Sequence, residues 1–127
     1  MTTPTNPPIN EQWGYDFFRM VDRMDPDEYV IYFQPDGRVI FSNDPPIVGT
    51  EAIRQAMQQF YATIDSMHHE IVHLWAESNT VISRAEAQYV RKADGKAVNL
   101  PAVTIIDLVG DKVQQVQFYM DMTPLKQ

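Results

Sequence analysis

The chain has 127 residues, of which 44% are hydrophobic and 21% charged, with a formal net charge of −7 and no cysteine. That length and apolar content suit one soluble domain with a single core. The acidic balance argues against nucleic acid and anionic membranes, which are held by neutralising phosphates, and the missing cysteines exclude disulfides, thiol nucleophiles and thiolate metal sites.

Residues 1–9 are proline-rich and aperiodic, and are expected to be a disordered lead-in to a single domain over 10–127. They lack the basic and apolar stretches of a secretory signal. No run approaches the ~20 apolar residues of a membrane span. The expected location is cytoplasmic, with no membrane partner.

Asn10 can cap a helix running to about Met24, with Trp13, Phe17, Met20, Val21 and Met24 on one apolar stripe. Asp25-Pro26-Asp27-Glu28 restarts a short helix: Asp25 caps it, Pro26 suits its first position, and Glu28 stands at the capping-box position. Pro35-Asp36-Gly37 reads as a turn, Arg38 to Ser42 as a short strand, and Asn43 to Gly49 as a loop. Thr50 is expected to cap a third helix whose buried face is Ile53, Met57, Phe60 and Ile64.

From Met67 the period changes to two. The runs 67–76, 80–91, 97–109 and 112–121 are rich in Val, Ile, Thr and aromatics, and Ser78-Asn79, Asp94-Gly95 and Gly110-Asp111 connect them tightly. Helices first and an antiparallel meander later define an α+β fold.

His69-Glu70-Ile71-Val72-His73 matches the H-E-x-x-H zinc motif. The motif needs a helix, where i and i+4 share a face. Here it lies in a strand pattern, where four residues span about 13 Å, too far for two nitrogens on one ion at ~2 Å. No metal site is expected.

Five stretches together resemble the SnoaL-like, ketosteroid-isomerase-like branch of the NTF2-like superfamily: Asp25-Pro26-Asp27; VIFSNDPPIVGTEAI over 39–53; MHHEI over 67–71; LPAVT over 100–104; and Tyr119-Met120-Asp121. The resemblance implies a cone-shaped, curved antiparallel sheet with three N-terminal helices enclosing a pocket, a cystatin-like roll. It also implies a small apolar ligand, a homodimer, and cofactor-independent acid–base chemistry of the isomerase, cyclase or dehydratase kind. This fold hosts many activities, so a non-catalytic binder and a dimeric interaction domain stand as alternatives. The resemblance sets Phe41 where ketosteroid isomerase has its base, Phe18 at its tyrosine and Val103 at its oxyanion-holding aspartic acid. It sets Pro101 and Val103 where epoxide hydrolases of this fold carry Arg and Asp.

Asp121 corresponds in region to the acid/base aspartate of SnoaL-like cyclases. A carboxylate at an apolar pocket rim would have a raised pKa. His69 is the second catalytic candidate, as a base or orienting group. Tyr119, Asn43, Phe18, Phe41 and Trp75 are the candidate substrate-binding residues, His73 and Trp75 sharing the face of His69 by period two. With ideal two-residue hairpins, His69 shares a row with Gln88, Pro101 and Met120, and Asp121 with Leu100, Tyr89 and His68. That sends His69 and Asp121 to opposite sides unless a bulge intervenes. The side opposite His69 then carries Ser83, Ala85, Ala87, Ala102 and Thr104, small residues suited to a dimer face.

Overall fold

A computed structural model describes residues 9–126; most of the expected lead-in, residues 1–8, lies outside the described residues. Ile9 is half-buried and packs on the core. The element order is α1 (Glu11–Asp22), α2 (Pro26–Ile31), β1 (Phe33–Phe41), β2 (Ile47–Val48), α3 (Thr50–Tyr61), β3 (Ile64–Glu77), β4 (Thr80–Arg91), β5 (Ala97–Val109), β6 (Lys112–Tyr119) and α4 (Thr123–Lys126). The architecture is α+β, a six-stranded curved open sheet in the order β2-β1-β6-β5-β4-β3, with helices packed on one face. Every pairing is antiparallel except β1 with β6, which is parallel.

The N-terminal helices start where their caps stand. The Asn10 side chain accepts from the Trp13 N–H, and the Asp25 carboxylate accepts from the N–H groups of Asp27 and Glu28. Glu28 does not close a capping box; it pairs instead with Arg23 through two hydrogen bonds. Thr50 does not cap α3. The cap is Gly49, whose φ of 91° is a backbone setting that side chains rarely adopt. Pro35-Asp36-Gly37 is a bulge inside β1 rather than a turn, with the register against β6 shifting between Phe33 and Arg38. A Cβ on Gly37 would meet the Gln34 and Val113 carbonyl oxygens at 3.0 Å, which suits glycine there.

The meander matches its expected strands closely, but three irregularities decide which side chains face inward. Extra residues enter β3 between Ile64 and Ser66 and again between Ile71 and His73, and β6 gains one opposite the step from Asp107 to Leu108. Each such bulge flips the face of everything beyond it. The β4–β5 loop is longer than a two-residue turn: the last pair is Val90 with Ala97, a shift that preserves faces. His69 therefore pairs with Ala87, and Ala87 with Leu100, all three buried. Ser83, Ala85, Ala87, Ala102 and Thr104 are buried within the chain, on the same side as His69. The expected dimer face is thus the helix-covered face, and its small residues make room for the helices. Phe17, Met20, Tyr29, Val39, Ile53, Ile106 and Val116 form the fully buried centre.

Candidate active site at the meeting of α1, α3 and β3

β3 is an edge strand, so an outward-pointing N–H on it has no strand to pair with. At His69 the last residue of α1 supplies the acceptor. One Asp22 carboxylate oxygen accepts from the His69 backbone N–H at 2.9 Å, and the other meets His69 Nδ1 at 2.6 Å. The His69 side chain is 3% exposed and that of Asp22 18%. An ionised carboxylate only accepts, so the proton of the neutral ring sits on Nδ1, and Nε2 is left with a lone pair. The ring packs against Phe18 with centroids 5.1 Å apart. On its exposed side Asp22 also has His68 Nδ1 at 3.6 Å, while His68 Nε2 lies 3.2 Å from Glu70.

Three tyrosines complete this interior cluster. Burial, and then the charge of Asp22, push the Tyr61 and Tyr89 hydroxyls well above the ordinary tyrosine value. Tyr29 is raised by burial and then by Tyr61. All three stay protonated at neutral pH and serve as hydrogen-bond donors. Among the described residues the Tyr29 and Tyr61 oxygens are buried without a hydrogen-bond partner, and Tyr89 reaches the Met120 sulfur at 4.0 Å. The rings around the cluster pack on one another: Phe17 against Phe18 and Tyr29, and Phe60 against Tyr61, Tyr89 and Phe41. A histidine with one nitrogen oriented by a carboxylate, set among neutral donors and apolar rings, has the parts needed to move a proton on an apolar molecule.

Of the other predicted residues, Phe18 and Phe41 border this cluster and the rest lie elsewhere. Phe18 is buried beside His69, and Phe41 is half-buried, stacked on Phe118 at 5.2 Å. The bulge after Ile71 leaves His73 and Trp75 exposed, ring on ring at 4.2 Å, on the face opposite His69. Period two alone had placed the three together. The same split keeps the two histidines of the H-E-x-x-H string from facing a common point. The β6 bulge turns Phe118 inward and Tyr119 outward, where Tyr119 joins Val72, Arg84, Glu86, Pro101 and Val103 around a surface cleft of about 470 Å³.

Asn43 and Asp121 do come together, across a small cleft of about 240 Å³ that Ser42, Asp44, Met122 and Lys126 also line. Asp121 is exposed and lies beyond the end of β6. Hydrogen bonds from the Thr123 side chain and N–H hold its carboxyl below the ordinary aspartate value, opposite in direction to the expected rise. Its partner is the α4 turn, whereas the partner of His69 is Asp22.

Asp22, Tyr29, Tyr61 and Tyr89 were not singled out by sequence reasoning. Tyr61 continues the Ile53–Met57 stripe at i+4, and Tyr89 continues the inward alternation of Ala85 and Ala87, so both carried a burial signal. Nothing local joins Asp22 to a histidine 47 positions away.

An α+β domain of this topology belongs to a class of cone-shaped folds that recurs among solved structures. A protein from Jannaschia sp. CCS1 described as a SnoaL-like polyketide cyclase is 17% identical, with a TM-score of 0.79 over 98% of this chain and 95% of that one. A protein of ketosteroid-isomerase-like fold from Catenulispora acidiphila DSM 44928, in complex with trimethylamine, is 17% identical at a TM-score of 0.78, covering 87% of this chain and 86% of that one. TerC co-crystallised with polyporic acid is 10% identical at 0.77, covering 91% and 94%. These likenesses are of fold. No curated protein matches in sequence. The model of the SnoaL-like domain matches residues 15–116, and the chain belongs to that family.

Proposed function

We propose that the protein binds a small apolar carbonyl compound between helices and sheet and moves a proton on it without a cofactor, His69 being the proton-transferring group and Asp22 its orienting partner. The observation that carries this reading is the buried His69, bonded through Nδ1 to Asp22, an arrangement that makes Nε2 the basic nitrogen of the neutral ring. In an isomerisation, Nε2 takes a proton from the carbon beside the carbonyl, the electron pair moves onto the oxygen, and the proton returns to another carbon of the same molecule. Asp22 stabilises the imidazolium formed in between. A cyclisation uses the same first step; the carbanion then attacks a second carbonyl carbon of the same molecule, and the alkoxide formed takes the proton back from the imidazolium. Trimethylamine and polyporic acid, named with two similar structures, support a small organic molecule as the ligand class.

The test is deuterium incorporation into 2-tetralone in D2O, followed by NMR. The native chain should speed exchange at the carbons beside the carbonyl, and H69Q should lose that acceleration. Binding of 2-tetralone with no accelerated exchange would turn the reading to a non-catalytic small-molecule binder.

A specific observation favours a second, compatible property. The outer sheet face exposes Val72, Trp75, Val103 and Tyr119. Clustered apolar side chains on an otherwise polar face suit association. We infer a homodimer through this outer face, in place of the small-residue face expected from ideal register. Light scattering at micromolar concentration should give twice the chain mass, and V72E should return it to a monomer; a monomeric native chain would remove the inference.

A further inference from the structure

We propose that His68 is a positioning residue for proton transfer at His69: an exposed imidazole whose charge, acting through Asp22, sets how strongly His69 Nε2 holds a proton. The inference deepens the reading above. Its catalytic consequence rests on that reading, while the electrostatic link stands on the geometry alone.

Successive residues of a strand point to opposite faces. His69 points inward, and His68 points outward, opposite Gln88 of β4. Because β3 is the sheet edge, the end of α1 reaches both. The Asp22 oxygen that accepts from the His69 N–H has His68 Nδ1 at 3.6 Å, and the other oxygen meets His69 Nδ1 at 2.6 Å. One carboxylate thus stands between two imidazoles, the first 3% exposed and the second 58%.

The groups around these rings leave the choice of charge to His68. From β3 itself Glu70 faces it, 3.2 Å from Nε2. From α1 Arg23 follows Asp22 but pairs with Glu28, and Asp25 accepts from the start of α2. From α3 Tyr61 is held neutral by burial and by Asp22. From β4, Gln88 opposite His68 and Ala87 opposite His69 carry no charge. Imidazole is the side chain that changes charge near neutrality, so His68 can add a positive charge on the solvent side of Asp22.

That charge competes for the carboxylate that stabilises the His69 imidazolium during proton transfer. Like charges on the two rings disfavour each other across Asp22. With His68 charged, Nε2 of neutral His69 is a weaker base and removes a proton from carbon more slowly.

Two measurements test this. The first needs no substrate: 15N NMR of the histidine rings from about pH 5 to 8, the range in which imidazoles titrate. The His69 ring signals should move as His68 takes up its proton, and in H68Q, uncharged throughout, that step should vanish. His69 signals that stay still while His68 titrates, or an unchanged His69 profile in H68Q, would overturn the link.

The second is the pH profile of 2-tetralone exchange for the native chain, H68Q and H68R. On the alkaline plateau H68Q should match the native chain. H68R, charged at every pH, should have a lower plateau, and the midpoint of its acid fall should lie about half a pH unit below that of H68Q. That is roughly threefold in proton affinity, the size expected from one charge several ångström away in a largely solvated setting. The same plateau and midpoint in H68Q and H68R would overturn the role of His68. No exchange by any of the three, with the NMR step present, would overturn the proton transfer and the catalytic role with it, while the electrostatic link stood.

Discussion

Asp22 and Asp121 are two carboxylates at the ends of their elements with opposite environments. Asp22 closes α1 over the sheet edge, is mostly buried, and spends both oxygens on His69. Asp121 follows β6 in the open and spends its carboxylate on the next turn of chain. Family position pointed to the second; burial and partner point to the first. A carboxylate's chemistry follows from what surrounds it, and that is set by register and helix placement more than by its place along the chain.

The contrast can be sharpened by substitution. The largest effect is expected at His69: if it moves the proton, H69Q should lower exchange of 2-tetralone by roughly 10²–10⁴-fold, while D121N should leave the rate unchanged. Equal losses in the two variants would erase the distinction between the regions. Next comes D22N, which keeps the shape but removes the charged acceptor. The hydrogen bonds it weakens predict a loss of about 1.5–3 kcal/mol in urea unfolding; D121N, exposed and bonded only to its own turn, should unfold with the native chain.

A smaller effect follows from the tyrosines. Tyr29, Tyr61 and Tyr89 ionise higher in the folded chain than when unfolded. Above the free value near 10 the unfolded chain sheds protons that the folded chain keeps. Their contribution is complete below about pH 10 and is lost as pH rises toward the folded values. Absorbance at 295 nm should show three of the six tyrosines resisting ionisation at pH 11 until the fold opens, and Y61F/Y89F should flatten the alkaline loss of stability. Six tyrosines ionising together in folded protein would contradict the buried cluster.

Much of the fold could be read before any coordinates. The Asn10 and Asp25 caps, the α1 stripe and five of the six strands, β1 in its second half alone, followed from periodicity and turn chemistry, because those signals are local. The two faces of the sheet were less legible. Ideal hairpin arithmetic sent His69 away from Ala87 and brought Trp75 to its side. One extra residue after Ile71 reversed these assignments, another in β6 turned Tyr119 outward, and bulges leave little trace in a single sequence. His69 emerged as a candidate from its imidazole chemistry and Phe18 from the family resemblance, and the two meet in the structure. Asp22 escaped notice because its significance is a contact across 47 residues, made by the docking of α1 on an edge strand.

Chemical-shift mapping with 2-naphthol on uniformly labelled protein bears most directly on where the site lies. Perturbations centred on His69, Asp22, Tyr61 and Tyr89, and lost from the His69 ring in D22N, are the predicted result. Perturbations centred on Asn43 and Asp121, or on Val72 and Tyr119 across the outer face, would contradict it.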